Sequence, residues 1–124
     1  MKILAGHCKG VPVLRVKAER IDGASAPEFR KALSDLTTRG LTSFVIDLSE
    51  VGFIDSTGLG ALVSVFKVKG RAGGVVVSGA NQAIATLFRI TRMDKVFRLF
   101  ATDVEAAAAV SSSATAPVGG KAVS

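Results

Sequence analysis

The chain has 124 residues, room for one domain, and its 48% apolar and 21% charged content is that of an ordinary globular protein. No apolar run approaches the ~18 residues of a membrane span, residues 1–9 are too soon interrupted by charge for a signal peptide, and the lone Cys8 and lone His7 exclude an internal disulfide and argue against a zinc site. The cytoplasm is the expected compartment. The formal charge of +6 has denser groups at Lys67, Lys69, Arg71 and at Arg89, Arg92, Lys95, Arg98. Solvated faces or an acidic protein partner account for it. Direct nucleic-acid binding is not expected, because no basic stripe with interleaved aromatics accompanies the charge.

In chain order, residues 3–7 and Val11–Lys17 read as two short strands around Lys9-Gly10. The second alternates, with Val13, Arg15 and Lys17 on one face and Pro12, Leu14 and Val16 on the other, which is the period of a strand with one wet face. Pro12 lacks a backbone donor and points to an edge or a bulge. Residues 21–27 form a loop into a helix, with Ser25 as N-cap and Pro27 in the first turn. Phe29, Leu33 and Leu36 recur at helical spacing, and Gly40 ends the helix. Residues 44–48, apolar but for Asp47, suit a central strand buried on both faces.

Leu59, Leu62, Val63 and Phe66 give the spacing of an amphipathic helix beginning near Thr57, closed by Gly70 and Gly73-Gly74. Residues 75–78 read as a second central strand and residues 82–91 as a helix with Ile84, Leu87 and Phe88 on one face. Residues 96–100 form a last strand, and Thr102 or Asp103 caps a final helix to about residue 110. Residues 111–124, rich in Ser, Ala and Gly, read as a disordered tail, which leaves one domain over residues 1–110. The order ββαβαβαβα predicts an α/β fold with a mixed, mostly parallel sheet and an antiparallel edge from the opening hairpin.

The segment Asp55-Ser56-Thr57-Gly58-Leu59-Gly60 joins strand to helix. One reading is a simple cap, with a hydroxyl accepting a hydrogen bond from an orphan N–H of the first turn. The other is a hydroxyl presented to a partner at the positive end of the helix. Gly58 and Gly60 favour the second, since each costs ~1 kcal/mol relative to Ala in a helix and makes sense where another backbone or a bulky group comes close. Carboxyl ends of strands are also where open α/β folds bind. Catalysis is not expected. Ser56 lacks the glycine two residues before it that a nucleophile elbow uses, and nothing places His7 beside it as a base. Residues 70–74 lack the Lys-Ser/Thr of a phosphate loop, so neither a cofactor nor a metal is expected.

Val45-Ile46-Asp47-Leu48 followed by Phe53-Ile54-Asp55-Ser56-Thr57-Gly58-Leu59-Gly60 resembles the signature of the STAS domain. More narrowly, it is similar to the single-domain bacterial anti-sigma factor antagonists, from about Leu4 to Val110. The resemblance implies that the unphosphorylated protein binds an anti-sigma factor that is also a serine kinase with a histidine-kinase-like ATPase fold, and so frees the sigma factor. It implies that the kinase phosphorylates Ser56, that the phosphorylated form lets go, and that a metal-dependent protein phosphatase resets it. Asp55, Ser56, Thr57, Gly58 and Gly60 would then contact the partner, with Asp22 nearby in the loop before the first helix. The alternative is a STAS scaffold or ligand-binding module, of stress complexes, lipid transport or response-regulator pathways, in which Ser56 is structural.

Overall fold

The computed structural model describes residues 2–37, 43–68, 74–95 and 97–115. It opens on a hairpin. β1 (Lys2–Cys8) and β2 (Val11–Lys17) pair antiparallel along their whole length. Lys9 and Gly10 between them take φ of 53° and 81°. Two consecutive positive angles are what a tight two-residue hairpin needs to match the twist of its strands. The chain continues through β3 (Arg20–Ile21), α1 (Ala26–Thr37), β4 (Ser43–Asp47), β5 (Phe53–Ile54), α2 (Ser56–Val68), β6 (Gly74–Ser78) and α3 (Gln82–Ile90). A 3-10 turn (Met93–Lys95), β7 (Arg98–Phe100) and α4 (Asp103–Thr115) complete it.

The main sheet has the order β1-β2-β4-β6-β7, with all pairs parallel except β1 with β2. This is the expected mixed α/β sheet, and the expected order of its elements. β3 and β5 add a separate two-stranded parallel sheet, with Arg20 opposite Phe53 and Ile21 opposite Ile54. Strands of two residues carry no period and so leave no sequence signal. α4 runs to Thr115, past the expected end near residue 110. Residues 116–124 lie outside the described residues, as do Gly40, Gly70 and Gly73.

Successive residues of a strand point to opposite faces, and β4 divides the core accordingly. Phe44 and Ile46 face α1, α2 and α3, in the larger cluster with Phe29, Leu33, Leu62 and Phe88. Phe88 and Phe97 meet edge to face, with ring centroids 6.2 Å apart at 77°, the geometry aromatic quadrupoles favour. Val45 faces the other way, with Val11, Val13 and Val76, under Ala106, Ala107 and Val110 of α4. That second cover corrects one expectation about β2. Its expected wet face is buried at Val13 by α4, and only Arg15 and Lys17 reach solvent. β2 lies between β1 and β4, but its Pro12 end is a local edge on the β4 side, as expected. Pro12 is tolerated because the pairing with β4 covers only Val13, Leu14 and Arg15, so no ladder bond to β4 is lost at Pro12.

Candidate functional site

The entry to α2 is built by the small sheet. Pairing of β3 with β5 extends on both sides of the two-residue strands. Gly52 and Phe53 both donate N–H to Glu19 O, at 2.8 and 3.2 Å, and Asp55 donates its N–H to Ile21 O at 3.2 Å. Asp55 then caps the helix. Its Oδ1 accepts the Gly58 N–H at 2.8 Å, and its carbonyl accepts the Leu59 N–H at 2.9 Å. These are the bonds of an N-cap. Ser56 is therefore the first helical residue and not the cap. The side chains of Ser56 and Thr57 are exposed, and neither hydroxyl bonds to another described residue. A free hydroxyl thus stands at the positive end of a 13-residue helix.

Gly58 and Gly60 part company. Gly58 is buried. A Cβ there would run into the carbonyl oxygen of Ile21 and would lie 2.9 Å from that carbonyl's carbon and from Ile21 Cγ2. The close approach that this glycine allows is that of the chain's own β3, which corrects the expectation that Gly58 is bare for a partner's sake. Gly60 is exposed, and a Cβ there would meet nothing within 4 Å.

Ile21 leads into Asp22, so the loop before α1 lies beside the first turn of α2. The Asp22 carboxylate is engaged within that loop. Its Oδ1 accepts the N–H of Ala24 at 3.1 Å and of Ser25 at 3.2 Å, and lies 3.2 Å from Ser25 Oγ. Arg20 stands 3.8 Å from Oδ2. The Ser25 N–H does most to hold the carboxyl below the usual carboxylate range, with burial opposing it and the other contacts assisting. Ser25 occupies the expected cap position, its carbonyl taking the Phe29 N–H at 3.0 Å. Its hydroxyl, however, turns back to accept the Asp22 N–H at 3.0 Å.

Beside the site lies an apolar groove. Phe53 is 46% exposed and Ile90 73%. With Ile54, Ala83, Ile84, Thr86 and Leu87 they line about 250 Å³ between β5 and α3. The Arg20 guanidinium lies 5.5 Å from the Phe53 ring centroid. Asn81 fixes α3 here: its Oδ1 caps the Ile84 N–H at 2.9 Å and its Nδ2 donates to Gly52 O at 3.0 Å. Sequence reasoning missed this groove, the Asn81 cap and the Asp55 cap. Asp and Asn are both strong capping residues, so the two caps were open to a residue-type argument. The groove was not, because it joins residues about thirty positions apart.

His7 lies on β1, at one edge of the main sheet, opposite Pro12. Arg89, Arg92, Lys95 and Arg98 are exposed. Among the described residues, no group of three or more His, Cys, Asp or Glu is placed to hold a metal ion, and no helix is long and apolar enough to cross a membrane.

A mixed sheet with three helices on one face and one on the other, and an unengaged serine one residue inside a helix entry, defines a small α/β module with a built surface site. The STAS domain matches residues 2–106, and the chain belongs to that family. It is 35% identical over 85 residues to the anti-sigma-B factor antagonist of Bacillus subtilis, an overlap of 68% of this chain and 77% of the relative. It is 32% identical over 99 residues to the anti-sigma-F factor antagonist RsfB of Mycobacterium tuberculosis, an overlap of 80% of each. The crystal structure of an anti-sigma factor antagonist from Mycobacterium paratuberculosis superposes with a TM-score of 0.79 at 31% identity, covering 89% of this chain and 93% of that one.

Proposed function

We propose that this protein is a cytoplasmic anti-sigma factor antagonist that works by binding, without turnover, and is switched off by phosphorylation of Ser56. The partner is an anti-sigma factor with serine kinase activity, and a protein phosphatase restores the binding form. The observation that carries the reading is the free Ser56 hydroxyl, exposed at the start of α2 while Asp55 does the capping. The relatives named above support the choice of partner class.

The chemistry of the switch follows from the local geometry. Phosphate adds roughly −1.5 to −2 charges and three acceptor oxygens. The N–H groups of Ser56 and Thr57 bond to no other described residue, so they are free to meet it, and the dipole of α2 tolerates it. The fold need not change. The docking surface does, because a dianion then stands beside the Asp55 carboxylate. In this reading the partner contacts Asp55, Ser56, Thr57 and Gly60, with Asp22 and Gly58 shaping the turn from beneath, and the Phe53–Ile90 groove supplies the apolar contact. A like-charge contact near 4 Å costs about 1 kcal/mol in water and about 4 kcal/mol at an effective dielectric of 20. A loss of at least about fivefold in affinity is therefore expected, since 1.4 kcal/mol is tenfold. Calorimetric titration of the anti-sigma kinase with unmodified and Ser56-phosphorylated protein tests this. Equal affinity of the two forms would defeat it.

A further inference from the structure

β1 is an outer strand of the main sheet and pairs with β2 alone. The hairpin turn decides which of its backbone groups that pairing uses. A two-residue turn with two positive φ angles closes on a hydrogen-bonded pair, here Cys8 with Val11. Bonded and non-bonded pairs then alternate along the ladder. Gly6, Leu4 and Lys2 therefore bond to β2, while the N–H and C=O groups of Ile3, Ala5 and His7 point outward. Pro12 fits this alternation. It stands opposite His7, in a pair that exchanges no bond, so its missing N–H costs the hairpin nothing. Among the described residues, nothing bonds to the outward groups of Ile3, Ala5 and His7.

Proteins ordinarily blunt such an edge with charge, proline, a bulge or brevity. The opposite edge follows that rule, since β7 has three residues and opens on exposed Arg98. β1 does not. It runs for seven residues in unbroken register with β2, and residues 3–8 hold neither proline nor Lys, Arg, Asp or Glu. Its side chains are shaped as well. Leu4, Gly6 and Cys8 share a face with their partners Arg15, Val13 and Val11. Leu4 is 44% exposed. A Cβ on Gly6 would meet nothing within 4 Å, and this glycine lies in a hollow of about 170 Å³ that Cys8, Val13, Arg15 and Asp103 also line. The two charged residues of the hollow face each other at 3.5 Å.

We infer that β1 is a self-pairing edge: two copies of this chain join antiparallel, β1 to β1, about a two-fold axis through Ala5, with Leu4 of each copy seated over Gly6 of the other. One register uses all three outward residues. It sets Ile3 opposite His7, Ala5 opposite Ala5 and His7 opposite Ile3, each pair exchanging both N–H···O bonds. Leu4 then falls opposite Gly6 in a non-bonded pair, the closer kind, on the face of the hollow. The match holds in both directions at once, as an isologous contact requires. Charge also selects a second copy. Two chains of net +6 repel wherever their basic surfaces meet. Along β1 they meet through uncharged residues, with Lys2 opposite Cys8 and not another lysine. A strongly charged peptide would find no counter-charge on residues 3–8. The pairing is separate from the switch proposed above. The Ser56 turn is built by β3, β5 and α2, so each copy keeps its own.

The test is sedimentation equilibrium of the full chain on its own. Salt is held at about 0.15 M, where the Debye length is about 8 Å. The protein runs from about 10 μM to about 1 mM, the span of a small, transient interface. The wild type should move from the 12.8 kDa of one chain towards twice that mass. Ala5→Pro removes an outward N–H and leaves the bonds to β2, as an edge allows. Shown to be folded by circular dichroism, it should keep the mass of one chain throughout. Ala5→Lys and Ala5→Glu each set like charges opposite one another across the axis. Each should dimerise up to about fivefold more weakly than the wild type. An equimolar mixture of the two sets Lys against Glu and should exceed both in average mass at the same total concentration. The charge variants carry the test by themselves if the proline prevents folding. A wild type that is monomeric at every concentration overturns the proposal and leaves the edge to a strand of another protein. A folded Ala5→Pro that still dimerises overturns it too, as does a mixture no heavier than its components, which would put the contact in another register or on another surface.

Discussion

Replacing Gly58 by alanine would place a methyl group against the carbonyl of Ile21, 2.9 Å from its carbon and from Ile21 Cγ2. The same carbonyl accepts the Asp55 N–H at 3.2 Å. Relief therefore requires β3 to withdraw from α2, and that disturbs the capped turn carrying Ser56. Overpacking costs ~1–3 kcal/mol and a weakened Asp55 cap ~0.5–2 kcal/mol, against a helix-propensity gain of ~1 kcal/mol. A net loss of roughly 0.5–4 kcal/mol follows. For a domain of this size each kcal/mol moves Tm by about 3–6 °C. Gly60→Ala is the internal control, because its methyl meets nothing within 4 Å and should raise stability by up to ~1 kcal/mol. Thermal and urea unfolding followed by circular dichroism separate the two. A Gly58→Ala protein as stable as the wild type would refute the packing of α2 on β3 described above.

Other consequences are open to similar measurement. Asp55→Ala should cost ~0.5–2 kcal/mol through the lost cap, whereas Ser56→Ala should stay within about 0.5 kcal/mol, as surface changes usually do; the reverse order in urea midpoints would return the cap to Ser56. Ser56→Glu should weaken binding of the anti-sigma kinase only partly, since a carboxylate carries less charge than phosphate, and unchanged calorimetric affinity would put the interface elsewhere. Asp22 lies below its usual range when folded, so its contribution is present above its unfolded value and lost as pH falls through the folded one. Asp22→Asn should accordingly flatten the acid side of a stability–pH curve; an unaltered acid limb would mean that the loop does not depend on that carboxylate.

Much of the architecture was legible because each main strand and helix carries its own local signal. Lys9-Gly10 announced the hairpin, the run at residues 44–48 the central strand, and Leu59, Leu62 and Val63 the helix behind Ser56. Relations between distant residues were not legible. Asp47 stood out as the one polar residue of a buried strand, yet its partner Arg15 lies 32 positions earlier, and no periodicity links them. At the site, residue types said that something must come close to Gly58, but only the fold identifies it as Ile21. Asp55, Ser56 and Thr57 are all capping residues in sequence, and only the bond from Gly58 to Asp55 assigns the cap and leaves the serine free.

The most direct test of the switch is phosphosite mapping by mass spectrometry after incubation with the anti-sigma kinase and ATP, followed by gel filtration with that kinase. The wild type should take up one phosphate, located on Ser56, and the phosphorylated form should no longer co-elute with the kinase. Folded Ser56→Ala should take up none and still co-elute. Phosphate on Thr57 or elsewhere in Ser56→Ala, or co-elution of the Ser56-phosphorylated protein, would contradict the account.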